Sequence, residues 1–158
     1  MCPAVTGISG QSSEASSASR GLFAVIAALS LAGVIVSGVS LQRHYAKSAT
    51  AFCDFSQRFS CDIVNRSQQS SVMGIPVAGI GVAGYAVLLV LATFWKSRAE
   101  TPNRLMGAAL AGLAFALYLT YLEAYVLETW CILCLASLCL ISLISILAVA
   151  VRVKLTRA

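Results

Sequence analysis

The chain has 158 residues, of which 59% are apolar and only 11% are charged, and its mean hydropathy is +0.86. Soluble domains contain about 25% charged residues, so this chain has too few polar side chains to cover a globule of its size. The composition excludes an ordinary soluble enzyme and a disordered chain, and it predicts no nucleic-acid partner despite a net charge of +5. The class that fits is an integral membrane protein, with the lipid bilayer as its surroundings.

Four apolar segments are each long enough to cross a bilayer, whose hydrocarbon core of about 30 Å needs roughly 20 helical residues. They lie at 22–41, 77–95, 105–127 and 131–151. Backbone groups in lipid must be hydrogen-bonded internally, so each segment is predicted to be a helix. The sequence therefore predicts an all-α integral membrane protein, a bundle of four transmembrane helices with a long loop, 42–76, between the first two.

The two ends of the chain are predicted to be tails. Residues 1–20 are rich in Ser, Gly and Ala without an apolar period, so we expect a disordered segment there. The membrane domain is expected over 21–152, followed by a short tail at 153–158. A signal peptide is the alternative for the first apolar segment, but its length exceeds the usual apolar region of about 7–15 residues, which favours a retained helix.

The distribution of basic residues predicts the orientation in the membrane. With four spans both termini share one side, which carries seven Lys and Arg residues: Arg20, Lys96, Arg98, Arg104, Arg152, Lys154 and Arg157. The opposite side carries four, all in the first loop. Positive charge marks the cytoplasmic face. We therefore expect cytoplasmic termini and a first loop that faces the outer compartment, which for a bacterial inner membrane is the periplasm.

Four of the six cysteines form two pairs on the outer side, where disulfides persist. Cys53 and Cys61 lie in the first loop, and Cys131 and Cys134 form a C-x-x-C motif where the fourth helix begins. Residues at i and i+3 share a helix face, and this spacing can close a disulfide. Cys131 is expected to face water and the loop, where the helix N-terminus favours a thiolate, whereas Cys134 lies about 4.5 Å deeper.

Two cysteine pairs at one membrane surface indicate a thiol–disulfide relay. A thiolate attacks a neighbouring disulfide, so the loop pair can exchange with Cys131, and Cys134 can pass electrons to a lipid-soluble acceptor such as a quinone. The alternatives are a structural disulfide between Cys53 and Cys61 and a zinc half-site at the C-x-x-C. The loop offers only His44 as a nearby further ligand, so no metal site is predicted.

Two further polar or reactive residues lie within the predicted spans. Glu123 is close to the outer end of the third span, and two interpretations of it stay open: a proton relay, as an acid within a span suggests, or a carboxylate hydrated at the interface. Cys139 is rotated by about 140° from Cys134 on a regular helix. We interpret it as a small buried apolar residue.

Together these features resemble the vitamin K epoxide reductase family. The matching positions are, in chain order, Cys53-Asp54, Cys61-Asp62, Ser67, Gly74-Ile75-Pro76 and Trp130-Cys131-Ile132-Leu133-Cys134. The resemblance covers about 22–151, which is nearly all of the chain except the first tail.

The resemblance implies a four-helix bundle that encloses a quinone of the ubiquinone, menaquinone or vitamin K type. Cys134 would react with the quinone, and Cys131 would be its disulfide partner. Cys61 would exchange with Cys131, and Cys53 would meet the external reductant. Ser67 matches a serine that the family places close to the active centre, which would make it a candidate quinone-binding residue; a hydroxyl that caps a loop or helix is its other interpretation.

Two departures from the family limit the implied function. Animal members have a ligand-binding tyrosine at the position of Leu138, so epoxide reduction is in doubt. Many bacterial members carry a fused thioredoxin-like domain, whereas here the implied partner is a separate thioredoxin-like protein. The sequence thus predicts an enzyme, a quinone-dependent thiol oxidoreductase that supplies disulfides. The alternatives are a structural four-span protein with a disulfide-stapled outer loop, and a vitamin K epoxide reductase proper.

Overall fold

The computed structural model describes residues 9–45, 54–56, 59–60, 64, 71–72, 74–94 and 100–157. Its long helices are α1 (Ser9–Tyr45), α2 (Val77–Thr93), α3 (Thr101–Leu122) and α4 (Ile132–Arg157). A π-helical turn, Glu123–Leu127, continues α3. In the first loop, β1 (Asp54–Ser56) pairs antiparallel with β2 (Phe59–Ser60), and β3 (Ser71–Val72) pairs antiparallel with β4 (Ile75–Pro76).

The predicted all-helical architecture of four helices is confirmed. Three of them are long and apolar enough to cross a membrane, over 20–45, 101–127 and 132–156. The fourth, α2, is apolar but has only 17 residues. At 1.5 Å per residue it extends for about 26 Å, slightly less than the hydrocarbon core. The loop that precedes α2 adds two short antiparallel pairs of strands to the predicted scheme.

The helix ends differ from the predicted boundaries. Helix α1 begins at Ser9, inside the segment 1–20 predicted to be a disordered tail. The residues after Ser9 include Gln, Glu, Ala and Arg, which are good helix formers, and extending an existing helix costs far less than starting one. Helix α4 continues to Arg157, so most of the predicted tail at 153–158 is helical as well.

The four helices do not pack equally tightly. Helix α1 packs mainly against α2, and α4 packs against α3 and α1, whereas α2 and α3 are packed more loosely than these three neighbouring pairs. Glycine permits the closest approach, because a Cβ atom at Gly33 in α1 would overlap the ring of Tyr85 in α2. Small residues let helices approach in this way in lipid. The looser pairing of α2 with α3 leaves space inside the bundle.

Candidate active site

The C-x-x-C motif lies at the start of α4. The carbonyl oxygen of Cys131 accepts the backbone N–H of Leu135 at 3.1 Å, so Cys131 is the N-cap residue and Cys134 is in the first turn. Cys131 is completely buried, and Cys134 is half-buried. The expectation that Cys131 faces water is therefore wrong. Among the residues that bury it is Val64 of the first loop.

Of the first-loop residues that the structure describes, Val64 packs against the motif. It is buried and packs in one cluster with Cys131, and Leu127, Leu133 and Cys134 surround the pair. Val64 follows Cys61 by three positions in the sequence. Cys53, Cys61 and Ser67 themselves lie outside the described residues, so their roles stay predictions.

Cys139 differs from the two cysteines of the motif in its surroundings. It is exposed on α4 rather than buried, so the expectation of a buried apolar residue is wrong. Five positions after Cys134 a helix has turned by about 140°, and this rotation takes Cys139 to the outer surface of the bundle. A thiol is apolar enough to face lipid. Cys139 therefore has no part in the site around Cys134.

Glu123 is held at the start of α4. Its side chain is 2% exposed, and its Oε2 atom accepts the backbone N–H of Cys131 at 3.1 Å. The first N–H groups of a helix have no partner within the helix, and the helix dipole favours a negative group beside them. These two effects explain why the carboxyl group is buried, and the interpretation of Glu123 as a hydrated interfacial residue is wrong.

The second carboxyl oxygen of Glu123 has a different environment. Oε1 is buried and has no hydrogen-bond partner among the described residues. The Cys134 side chain is close enough to interact with the carboxyl group, and both residues line the same cavity. The site thus brings together the deeper cysteine of the motif and an acid that the sequence singled out.

The cavity has a volume of about 510 Å³ and lies between the helices, beside Cys134 and Glu123. Ligand pockets commonly measure about 300–1,000 Å³ and are mostly apolar with a few polar groups. Most of this wall is Val, Leu, Ile, Ala and Gly. The polar residues in it are Ser37, Ser40, His44, Tyr85, Glu123, Cys134 and Ser137. Such a wall suits an apolar ring with a few polar atoms.

Tyr85 and Ser137 are site residues that the sequence did not reveal. The Tyr85 hydroxyl donates to the carbonyl oxygen of Ser137 at 2.8 Å and lies 2.9 Å from Ser137 Oγ. Ser137 follows Cys134 by three positions, so both share the face of α4 that lines the cavity. Two features of the sequence could have indicated them: Tyr85 is the one tyrosine in the apolar helix α2, and the Ser137 hydroxyl follows the C-x-x-C motif by one helical turn.

This fold and site define a membrane-embedded helical protein with a dithiol motif in the wall of a ligand-sized apolar cavity. The family model described as the vitamin K epoxide reductase family matches residues 24–149, which is most of the chain. The chain therefore belongs to the vitamin K epoxide reductase family, and the resemblance seen in its motifs is confirmed. Members are oxidoreductases, and membership implies a quinone-linked redox function in the membrane.

Proposed function

We propose that this protein oxidises a separate thioredoxin-like protein and reduces a membrane quinone, and that it thereby supplies disulfide bonds. The observation that carries the proposal is the position of Cys134 in the wall of the 510 Å³ cavity. The cavity is apolar and large enough to accept a quinone ring, and a sulfur atom lies at its edge. A purely structural cysteine pair gives no reason for such a cavity.

The proposed chemistry at the motif is a two-electron oxidation of a dithiol. Cys134 reacts with the quinone, and Cys131 closes the disulfide with Cys134. One S–S bond forms, both thiols lose their protons, and two electrons pass to the quinone, which takes up two protons and becomes a quinol. The residues occupy suitable places, because Cys134 lines the cavity while Cys131 packs against Val64 of the first loop.

The proposed supply of electrons runs through the first loop. Cys61 attacks the Cys131–Cys134 disulfide at Cys131, and Cys53 then displaces Cys131 to form the Cys53–Cys61 disulfide. The dithiol of the thioredoxin-like partner reduces that disulfide in turn. The packing of Val64 on Cys131 supports this route, since Val64 lies three positions after Cys61. Ser67 in the same loop is proposed to lie near the quinone.

The proposed orientation places both cysteine pairs in the outer compartment. Arg20 precedes the span in α1, Arg104 lies in the first turn of α3, and Arg152 and Lys154 lie near the end of α4. These helix ends share one side if the four helices alternate in direction. Positive residues favour the cytoplasm, so we propose a bacterial inner-membrane protein with cytoplasmic termini and a periplasmic first loop.

The test follows quinone reduction by the purified protein in detergent. A reduced thioredoxin-like protein serves as electron donor, a water-soluble short-chain quinone as acceptor, and the loss of quinone absorbance gives the rate. We expect Cys134→Ala to reduce the rate to background, because the cavity wall then loses the one sulfur atom that its described residues supply. Cys139→Ala is the matched control and should keep the parent rate. Equal rates for the parent and Cys134→Ala would favour the structural four-span alternative.

A further inference from the structure

We infer that Glu123 is a catalytic residue of this site, which carries the proton of the Cys134 thiol to an oxygen atom of the quinone. The inference rests on the proposed function, because it assigns a proton path within that reaction. It goes beyond that function by naming the group that moves the proton. Three observations on Glu123 lead to it.

The first observation is that Glu123 is fixed from two directions. Its side-chain Oε2 accepts the N–H of Cys131 at 3.1 Å, and its backbone carbonyl oxygen accepts the N–H of Thr129 at 3.2 Å. Thr129 is itself buried. These contacts join the π-helical turn to the start of α4, so the carboxyl group keeps a constant position relative to the C-x-x-C motif.

The second observation is the missing partner of Oε1. Buried carboxyl oxygens normally accept a hydrogen bond, and leaving one unpaired costs free energy. Oε1 is buried without a partner among the described residues, although Glu123 lines the cavity. A quinone that is reduced gains hydroxyl groups, and a hydroxyl group is the donor that Oε1 lacks. The Cys134 thiol, which is the proposed source of the proton, lies close to the carboxyl group.

The third observation concerns the other titratable groups that line the cavity, Tyr85 and His44. The Tyr85 hydroxyl donates a hydrogen bond to the Ser137 carbonyl oxygen at 2.8 Å. His44 lies in the last turn of α1, where its ring contacts Tyr45 edge-on. Of the described residues in the cavity wall, Glu123 is the one carboxylic acid, and it is also the acid beside Cys134.

The proposed step couples the oxidation of the two thiols to the reduction of one quinone. As Cys131 and Cys134 form their disulfide, two electrons leave the sulfur atoms for the quinone. Glu123 takes the thiol proton of Cys134 and passes it to one quinone oxygen, returning to its initial state. The thiol proton of Cys131 leaves to the solvent, and the second quinone oxygen takes one proton from the solvent. One dithiol and one quinone thus give one disulfide and one quinol.

A purely structural role is the competing explanation, because Glu123 also caps α4. The variant Glu123→Gln separates the two roles. A glutamine side chain has the same shape, and its amide oxygen can still accept the N–H of Cys131, but its amide group does not carry protons. Glu128→Gln is the matched control, since Glu128 is exposed in the loop between the π-helical turn and α4.

The first measurement is a single turnover. Protein with a reduced Cys131–Cys134 pair is mixed rapidly with the short-chain quinone, and quinol formation is followed in time. General acid–base groups commonly contribute about 100-fold or more to a rate, so we expect Glu123→Gln to react about 100-fold more slowly. Glu128→Gln should react at the parent rate. A Glu123→Gln rate within twofold of the parent would overturn the inference.

The second measurement observes the carboxyl group itself. Infrared difference spectra recorded in time during the single turnover should show a transient carboxylic-acid C=O band that is present in the parent and in Glu128→Gln and absent in Glu123→Gln. If Glu123→Gln does not fold, the parent spectrum still decides, because a parent without any carboxyl change overturns the inference. A parent protein that reduces no quinone at all overturns the proposed function as well.

Discussion

The hydroxyl group of Tyr85 donates a hydrogen bond to the carbonyl oxygen of Ser137 at 2.8 Å and so connects α2 to α4 one turn after Cys134. The Tyr85 side chain is buried and lines the cavity. Its ring lies directly against the backbone of Gly33, so the same side chain also fixes the distance between α1 and α2. One residue therefore holds three helices around the proposed quinone site.

The substitution Tyr85→Phe tests this connection. It keeps the ring in place but removes the hydroxyl group and its contacts with Ser137. Hydrogen bonds within membrane proteins contribute about 0.6 kcal/mol on average and up to about 1.7 kcal/mol, so we expect unfolding free energy to fall by about 1 kcal/mol. Denaturant titration in detergent, followed by circular dichroism, measures the change. The control Ser137→Ala should lose less, because the carbonyl oxygen that accepts the shorter bond remains.

Gly33 offers a second test, with Gly38 in the same helix as its control. A methyl group at Gly33 would overlap the Tyr85 ring, so Gly33→Ala must push α1 and α2 apart. Overpacking of this kind costs about 1–3 kcal/mol. At Gly38 an added Cβ meets nothing within 4 Å, and alanine is the better helix former. We expect Gly33→Ala to lower the unfolding temperature and Gly38→Ala to leave it equal or higher. A loss of equal size in both variants would contradict the close contact.

The architecture was predictable because it follows from composition. The need for internal hydrogen bonds in lipid converts each apolar segment into a helix, and the motif spacing puts both cysteines of the C-x-x-C at the start of α4, as the structure has it. The extent of α1 was not predictable in this way. Its first residues are polar, and their helical state depends on propagation from the apolar part of the same helix.

The contacts of Glu123 could not be predicted from the sequence. The apolar pattern of the third span predicts a regular α-helix and does not indicate a π-helical turn. That turn begins at Glu123 and brings its carboxyl group to the N-terminus of α4. The pairing of Tyr85 with Ser137 joins residues that are 52 positions apart. Contacts of this kind depend on how two helices are rotated against each other, which the apolar pattern of either helix leaves open.

The cavity itself can be tested by filling it at Gly84. This glycine lines the cavity, and an added Cβ there meets nothing within 4 Å, so Gly84→Leu places a side chain in the space proposed for the quinone. One methylene group in an apolar pocket changes binding by about tenfold or more. We expect the KM for the short-chain quinone to rise at least about tenfold, measured from initial rates over a range of quinone concentrations.

The matched control for Gly84→Leu is Gly107→Leu in α3. Gly107, like Gly84, is exposed and has open space around an added Cβ, but it does not line the cavity. Both variants exchange glycine for a better helix former, so their effects on helix stability are similar. The KM of Gly107→Leu should equal that of the parent. An unchanged KM in Gly84→Leu would mean that the quinone binds elsewhere.

Two buried serines in the spans are expected to respond differently to substitution by alanine: only the substitution of Ser145 should reduce stability. Ser145 Oγ donates to the carbonyl oxygens of Ile141 at 2.8 Å and of Ala109 in α3 at 3.2 Å, so it joins two helices. Ser30 is completely buried, and its Oγ has no partner among the described residues. An unpaired buried hydroxyl group costs about 1–3 kcal/mol, whereas a membrane hydrogen bond contributes about 0.6 kcal/mol.

Ser145→Ala should therefore lower the unfolding free energy by about 0.6 kcal/mol, and Ser30→Ala should leave it unchanged or raise it by up to about 1 kcal/mol. Denaturant titration of both variants in the same detergent gives the two values, and a double variant should show their sum, because the residues share no contact partner. A clear loss in Ser30→Ala would show that its hydroxyl group has a partner after all, such as a water molecule inside α1. In that case α1 would be held by a polar contact and not only by apolar packing.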